Sequence, residues 1–442
     1  MKSDFARADV LIVGGGFSGT MLAAQLARRS LSSIIIEGAD RAGRGTAFST
    51  PEEAHLLNVP AARMSAWPDL PDDFAQHVQR HGFTPADFVP RQEFGDYLRT
   101  ILDEAIAGGC VQLIAEEASD ASPVCGGWTV EAGGKAYEGR ALALAQGNLA
   151  PQVPGVARDL PRSMFVNDPW SEEGQAAIAC AAEDGADVLC IGTGLTMVDV
   201  VLSLTEAGHA GRILAVSRRG LVPRSHAPNE TAPVERDDVP QGSLLSLWRW
   251  LRKRTAIVGW RAAVDSLRPH SQALWHSLDT REQKRFLRHA RPWWDIHRHR
   301  IAPQIADRLE GMVKDRRLEV MAGRVASLVS DGAAVDAAIT PRGASQDLRR
   351  RFGLAINCTG PLGAIRFTRD PMLHNLLSAG RVEPDGLGMG LQVDGRGRAE
   401  GSERLWAVGP LTKGVWWEIV AVPDIRQQVA VVADDIAEEL EQ

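Results

Sequence analysis

A chain of 442 residues exceeds what a single hydrophobic core supports, so two or more domains are expected. Hydrophobic residues make up 44% and charged residues 24%, a globular usage that excludes a disordered chain. The net charge of -7 offers no global attraction to nucleic acid or to an anionic membrane, so nucleic acid is an unlikely partner and no membrane is expected. No apolar run reaches bilayer length, and the first residues enter a strand without an apolar leader and cleavage site, which makes the cytoplasm the expected location.

Residues 9–13 form a short apolar run that ends at Gly14-Gly15-Gly16-Phe17-Ser18-Gly19. The Ala/Leu-rich stretch after it reads as a helix, and Ser33–Ile36 as a second strand closed by Glu37. A strand–turn–helix–strand unit with an acid 23 residues after Gly14 is the context in which G-x-G-x-x-G binds a dinucleotide. Gly14 permits the tight turn, Gly16 lets backbone approach a pyrophosphate, and Gly19 allows close helix–strand packing. Phe17 and Ser18 open the helix, whose free N–H groups and dipole favour the diphosphate. Glu37 can accept from ribose hydroxyls and would repel a 2′-phosphate, so FAD or NAD is expected here rather than NADP.

A loop-rich stretch covers residues 38–73, residues 91–107 read as a helix, and short strands follow near 111–114, 127–131 and 141–145. Pro151, Pro154 and Pro161 mark a linker. A second unit comes next: a strand over 186–191, the turn Gly192-Thr193-Gly194, a helix over 195–207 and a strand over 212–216. Gly192, Gly194, Leu195 and Thr196 are its expected pyrophosphate contacts. Met197 occupies the third glycine position and leaves close packing there open. Ser217-Arg218-Arg219 lies 25 residues after Gly192, and a hydroxyl with two guanidinium forks suits a 2′-phosphate, which favours NADPH. The alternative is a solvated basic turn on a nucleotide fold that no longer binds.

Residues 244–310 interrupt this rhythm and read as a helical insertion. Between Trp248 and Arg300 there are thirteen Lys/Arg, four Asp/Glu and five of the eleven His. Such a segment could steer an anionic substrate or the NADPH phosphates, or it could be a solvated helical face with its Trp side buried. His297, Arg298 and Arg300 are the candidate contacts to substrate or nucleotide phosphate. His297 and His299, two residues apart, point to different sides of a helix, so no metal is expected. Strands resume near 318–328, residues 354–360 close the unit, and a strand over 405–409 and a helix from about Pro423 finish the chain. None of the five cysteines forms a Cys-x-x-Cys pair.

Two such units, one early and one mid-chain, resemble the two-dinucleotide-binding-domain flavoproteins. These include disulfide reductases, flavin-containing monooxygenases, Baeyer–Villiger enzymes and amino-acid N-hydroxylases. GRGTAFST, HLLNVPAARMS, GTGLTMVDV, HARPWWDIHRHRIAP, INCTGP and GPLTKGVWWEIVAVPDIR are similar to stretches of a bacterial family of FAD/NAD(P)-binding proteins. The resemblance implies an α/β fold with two Rossmann-like dinucleotide-binding domains and a helical insertion. Residues 1–160 and 359–442 would be the two parts of the FAD domain. Residues 161–358 would be the NAD(P) domain, with the insertion at about 221–310. It further implies FAD contacts at Arg44, Gly45, Asn58, Val59, Met64, Gly147, Gly360, Gly409, Pro410 and Trp417, with Trp416 toward the substrate, although one of the two tryptophans could be core.

The missing dithiol argues against a disulfide reductase. Asn58, Met64 and Pro68-Asp69 look like the loop of the flavin monooxygenases, in which Asn58 would sit beside the flavin ring and donate a hydrogen bond to the oxygen that adds there. Equally, Asn58 could order its loop through side-chain–backbone bonds. The linker Phe165–Trp170 lacks the His of the Baeyer–Villiger fingerprint. The expectation is an FAD- and NADPH-dependent monooxygenase that hydroxylates a small polar or anionic substrate with molecular oxygen. A reductase without oxygen insertion and a non-catalytic redox-sensing module are the alternatives.

Overall fold

The computed structural model describes residues 7–441, so the reading of the extreme N-terminus as leaderless falls on residues 1–6, outside the described residues. Two sheets carry the fold. The first contains β1 (Arg7–Val13), β2 (Ser33–Ile36), β3 (Val111–Ile114), β4 (Ala118–Val124), β5 (Gly127–Ala132) and β6 (Lys135–Leu144), in the order β3-β2-β1-β6-β5-β4. It is completed by β14 (Leu405–Ala407), which pairs in parallel with β6. The second sheet contains β7 (Phe165–Val166), β8 (Val188–Ile191), β9 (Ile213–Ser217), β10 (Leu318–Ser330), β11 (Val335–Pro341), β12 (Leu348–Phe352) and β13 (Leu354–Asn357). Its order is β12-β11-β10-β9-β8-β13-β7.

The strands that read most clearly in the sequence are those buried on both faces. All four residues of β2 and of β13 are buried, as parallel strands covered by helices require. The Phe17–Ala27 helix lies against the last helix, Val422–Glu441, so the C-terminus returns to cover the first sheet. The antiparallel β4–β5–β6 extension exposes alternate residues, and β4, with only Ala118 and Ala121 buried, carried too weak an apolar signal to be expected.

The helical insertion runs through Leu244–Val258, Trp260–Ser266, Ser271–Ser277, Thr280–Arg285 and Arg291–Arg298, around a core that includes Leu244, Leu267, Leu274, Trp275, Phe286 and Trp294. The helix Pro303–Lys314 is different. It starts with proline in its first turn and buries Ile305, Ala306, Leu309 and Met312 in the core of the second sheet. It leads directly into β10 and belongs to that sheet's α/β rhythm.

No helix among the described residues is long and apolar enough to cross a membrane. All five cysteines are free.

Candidate functional site

The two glycine turns follow one physical plan. Gly14 has φ +104°, its N–H bonds Ile36 at the end of β2, and a Cβ there would stand 2.4 Å from the Ala145 carbonyl oxygen. Gly192 has φ +127°, its N–H bonds Val216 at the end of β9, and a Cβ would stand 2.2 Å from the Cys358 carbonyl oxygen. Both turns therefore press backbone against the neighbouring strand's continuation, which only glycine allows. Gly16 and Gly194 cap the following helices without any side-chain hydrogen bond, and neither helix has an acid in its first turn. The leading N–H groups of Phe17–Ala27 and Leu195–Glu206 are thus left for an anion.

The units differ at the third position. A Cβ on Gly19 would lie 1.8 Å from the Gly14 oxygen, whereas Met197 is fully buried in the second core. The second helix packs with a side chain where the first tolerates none. Leu195 and Thr196 open that helix half-buried.

Around the first turn, Glu37 accepts from Gly15 N at 2.7 Å and from Ala39 N at 3.1 Å. Its two oxygens keep further lone pairs for a ribose. Gly45, at φ +59°, closes on Gly16, and Arg44 next to it pairs with Asp96 at 2.5 Å. The Gly409-Pro410 turn lies on the same helix start: a Cβ on Gly409 would stand 2.4 Å from Ser18 Oγ. Gly409 N donates to Gln428 Oε1 at 2.7 Å. Gly147 and Gly360, both at positive φ, have open space where a Cβ would be. Glycine backbone, an uncapped helix and a carboxylate with lone pairs to spare together fit a dinucleotide.

In the second unit Ser217 Oγ lies 2.8 Å from Thr193 Oγ1 and accepts from Gly220 N at 3.0 Å. Arg218 is exposed and Arg219 half-buried, and neither side chain has a partner among the described residues.

Between the two units three segments converge: the 58–65 loop, the insertion, and residues 413–426. Asn58 is half-buried, its carbonyl accepts from the His226 ring at 2.7 Å, and its amide makes no hydrogen bond among the described residues. The loop-ordering role for that amide therefore has no partner to act on. Burial pushes the His226 imidazole down to about 4. Val59 is half-buried, while Met64 is buried in the first core.

The insertion grips the C-terminal loop. Trp275 Nε1 donates to the Gly414 carbonyl at 2.9 Å, and Gln272 donates to that of Trp417. Trp294 donates to Glu418, whose other oxygen accepts from Arg298 at 3.1 Å. Glu418 holds φ +62°, an uncommon backbone conformation for a non-glycine residue.

The same region holds buried polar atoms without hydrogen-bond partners: Asp424 Oδ2, Arg298 Nη2, Trp416 Nε1, Gln272 Oε1 and Arg426 Nε. Arg298 and Asp424 stand 3.9 Å apart. Burial pushes the Asp424 carboxyl up and the Arg268 guanidinium down. Lys413, whose ammonium donates to the Leu362 carbonyl at 2.7 Å, is likewise lowered by burial to about 8. Such groups call for a polar ligand.

Of the expected substrate contacts, Arg298 and Trp416 lie among these groups. His297 packs its ring on Trp260 and bonds the Trp293 carbonyl at 2.7 Å. Arg300 commits its fork to Asp265 at 2.7 and 3.1 Å and holds the insertion together. Trp417 stacks on Trp275 with centroids 4.6 Å apart, inside the insertion's apolar core. His226, Arg268, Lys413, Glu418 and Asp424 were not singled out from the sequence. The signal for the last three was charge embedded in the apolar stretch GPLTKGVWWEIVAVPDIR.

The two units are pinned to each other. Arg91 forms a two-pronged pair with Asp199 at 2.9 and 3.0 Å, both side chains nearly buried. Beside it, His55 bonds Thr50 at 2.8 Å, the Asp199 carbonyl at 3.1 Å and Ser203 at 3.2 Å.

Residues 11–149 match a family model described as FAD-NAD(P)-binding. The chain carries an FAD-NAD(P)-binding domain. No curated protein matches the chain in sequence. Its structure is similar over nearly the whole length to solved flavoproteins. Ornithine hydroxylase from Pseudomonas aeruginosa aligns at 16% identity over 98% of this chain and 100% of that one, with a TM-score of 0.67. L-lysine 6-monooxygenase from Pseudomonas syringae aligns at 16% identity, 98% and 99% coverage, and a TM-score of 0.68. The FAD-bound cadaverine monooxygenase from Erwinia amylovora aligns at 11% identity, 97% and 94% coverage, and a TM-score of 0.69. The likeness shows the fold: two Rossmann-like dinucleotide-binding units with a helical insertion.

Proposed function

We propose that this protein is an FAD-dependent, NADPH-consuming monooxygenase that hydroxylates a small polar or anionic substrate with molecular oxygen. FAD would lie on the Gly14–Gly19 turn, with Glu37 at its ribose, in a domain assembled from residues 1–160 and 359–442. NADPH would lie on Gly192–Thr196 in residues 161–358, with Ser217, Arg218 and Arg219 at its 2′-phosphate. FAD held there would supply hydride-accepting and oxygen-activating chemistry, with NADPH as the reductant. The chain supplies position, charge and shielding.

The observation that carries the reading is the set of buried polar atoms on Arg298, Asp424, Gln272 and Trp416 that make no hydrogen bond, with Arg298 and Asp424 facing each other at 3.9 Å. A site used only for electron transfer from one nucleotide to another has no need of them. Asn58 would donate its free amide to oxygen at the reacting centre, while the Trp275–Trp417–Phe286 cluster anchors the C-terminal loop in the insertion's apolar core. Burial raises the Asp424 carboxyl above the ordinary carboxylate range.

The N-monooxygenases of similar fold act on ornithine, lysine and cadaverine by their names. Here Arg298 is already paired with Glu418, and Arg268 lies near Asp424 and Glu418, so the region offers charge of both signs to a polar ligand. The test is oxygen consumption by the FAD- and NADPH-loaded protein against a panel of small acids and amines, with isotopically labelled oxygen traced into product. Label in product at a yield that follows NADPH oxidation supports the proposal. NADPH oxidation coupled entirely to peroxide, or to a different acceptor, with every compound sinks it.

A further inference from the structure

The helix Asp73–Gln79 and the first turn of the helix Arg91–Ala107 come together where Glu93 reaches His81. His77 and His81 are four residues apart, the spacing that stacks two side chains on one face of a helix and its closing turn. Their rings meet edge to face with centroids 4.7 Å apart. Glu93 reaches across from the second helix, and its carboxylate lies 2.6 Å from His81 Nδ1. One ring nitrogen from each histidine and one Glu93 oxygen all lie within 4.8 Å of one another. His77 also carries an orphan: its Nε2 is buried and has no hydrogen-bond partner, while the ring is wedged between Phe74 and Tyr97.

We propose that His77, His81 and Glu93 form a binding site for a borderline divalent cation of the zinc type. Two imidazoles and one carboxylate suit zinc, cobalt, nickel or copper, and two nitrogen donors argue against magnesium and calcium. Bond lengths of about 2.0–2.2 Å require the three ligand atoms to draw in slightly from their present spacing. His81, with 45% of its side chain exposed, has the freedom to do so. Three protein ligands leave a fourth position to water, the pattern of an open rather than a closed structural site.

The charges around the site are mixed. Asp73 is occupied by the Tyr97 hydroxyl at 2.5 Å, and Arg80 stands near His77. Binding would clamp the two helices across their open edge. The site stands apart from the proposed flavin chemistry, so its test is separate.

The experiment is calorimetric titration of zinc chloride into the flavin-loaded protein after chelator treatment, at neutral pH. The expected result is one zinc per chain and a raised melting temperature. His81→Asn and Glu93→Gln should each weaken binding roughly 10-fold or more. His374→Ala, an exposed histidine elsewhere, should leave stoichiometry and affinity unchanged. The fold of each variant is checked by its melting temperature without metal, which should equal that of the wild type. Wild-type protein that takes up no zinc, or His81→Asn and Glu93→Gln proteins that bind as wild type does, would overturn the site.

Discussion

Replacing Arg218 and Arg219 together by alanine tests how the second cradle selects its nucleotide. Both follow β9 directly, next to the Thr193–Ser217 contact that ties the glycine turn to this segment. Neither guanidinium has another partner to release, so the substitution removes only what the ligand would have used. A charge-assisted contact to phosphate contributes about 1.5–3 kcal/mol. Arg218 is exposed and its contribution is screened, which brings the pair to about 2–3 kcal/mol rather than the full sum. That is roughly 30–150-fold in affinity, falling on NADPH alone. Anaerobic stopped-flow reduction of the flavin by NADPH and by NADH, each over a range of concentration, separates binding from hydride transfer. The expected result is a raised apparent Kd for NADPH, unchanged behaviour with NADH, and a limiting reduction rate close to wild type. A double variant that keeps its full preference for NADPH would refute the assignment of these residues.

Asn58→Ala should leave FAD content and NADPH-driven reduction near wild type, since the amide has no structural partner to lose. It should shift oxygen use from product toward hydrogen peroxide, with a cost of roughly 2.7–4 kcal/mol at the oxygen-transfer step; an unchanged product-to-peroxide ratio counts against the role. Arg91→Ala strands the buried Asp199 carboxylate between the two domains, and denaturant unfolding should show a loss of about 3–5 kcal/mol, whereas a change below about 1 kcal/mol would mean that the pair does not pin them. His226 is held neutral with its folded value near 4, below the unfolded value, so protons favour the unfolded chain. Its contribution is complete above about pH 6.5 and is lost as pH falls toward 4; His226→Gln should flatten the stability profile in that window, and an unaltered slope would remove His226 as its source.

What could be read from the sequence was local. The Gly14–Glu37 unit announces itself because the turn, the helix and the acid lie within one short stretch and each carries a backbone or charge requirement. β2 and β13 were legible because burial on both faces leaves an unbroken apolar run. The helix Pro303–Lys314 was assigned to the insertion because it follows directly on the Arg- and His-rich run, although Pro303 marked its start. The site's ion pairs were not legible, since they join residues far apart in the chain: Arg298 to Glu418 near the C-terminal loop, and Arg91 to Asp199 between the two units. The division of labour at Trp416-Trp417 also lay in tertiary structure, because only the docking of Trp275 decides which ring enters the insertion core.

The central claim is that one chain binds FAD and NADPH in separate cradles and passes reducing equivalents to oxygen. The most direct measurement is anaerobic mixing of the purified, flavin-containing protein with NADPH, followed by admission of oxygen. The account predicts that the released cofactor is FAD, that NADPH bleaches it faster than NADH does, and that oxygen restores the colour while being consumed. Protein that carries only FMN, or an FAD that stays oxidised in excess NADPH, would contradict it.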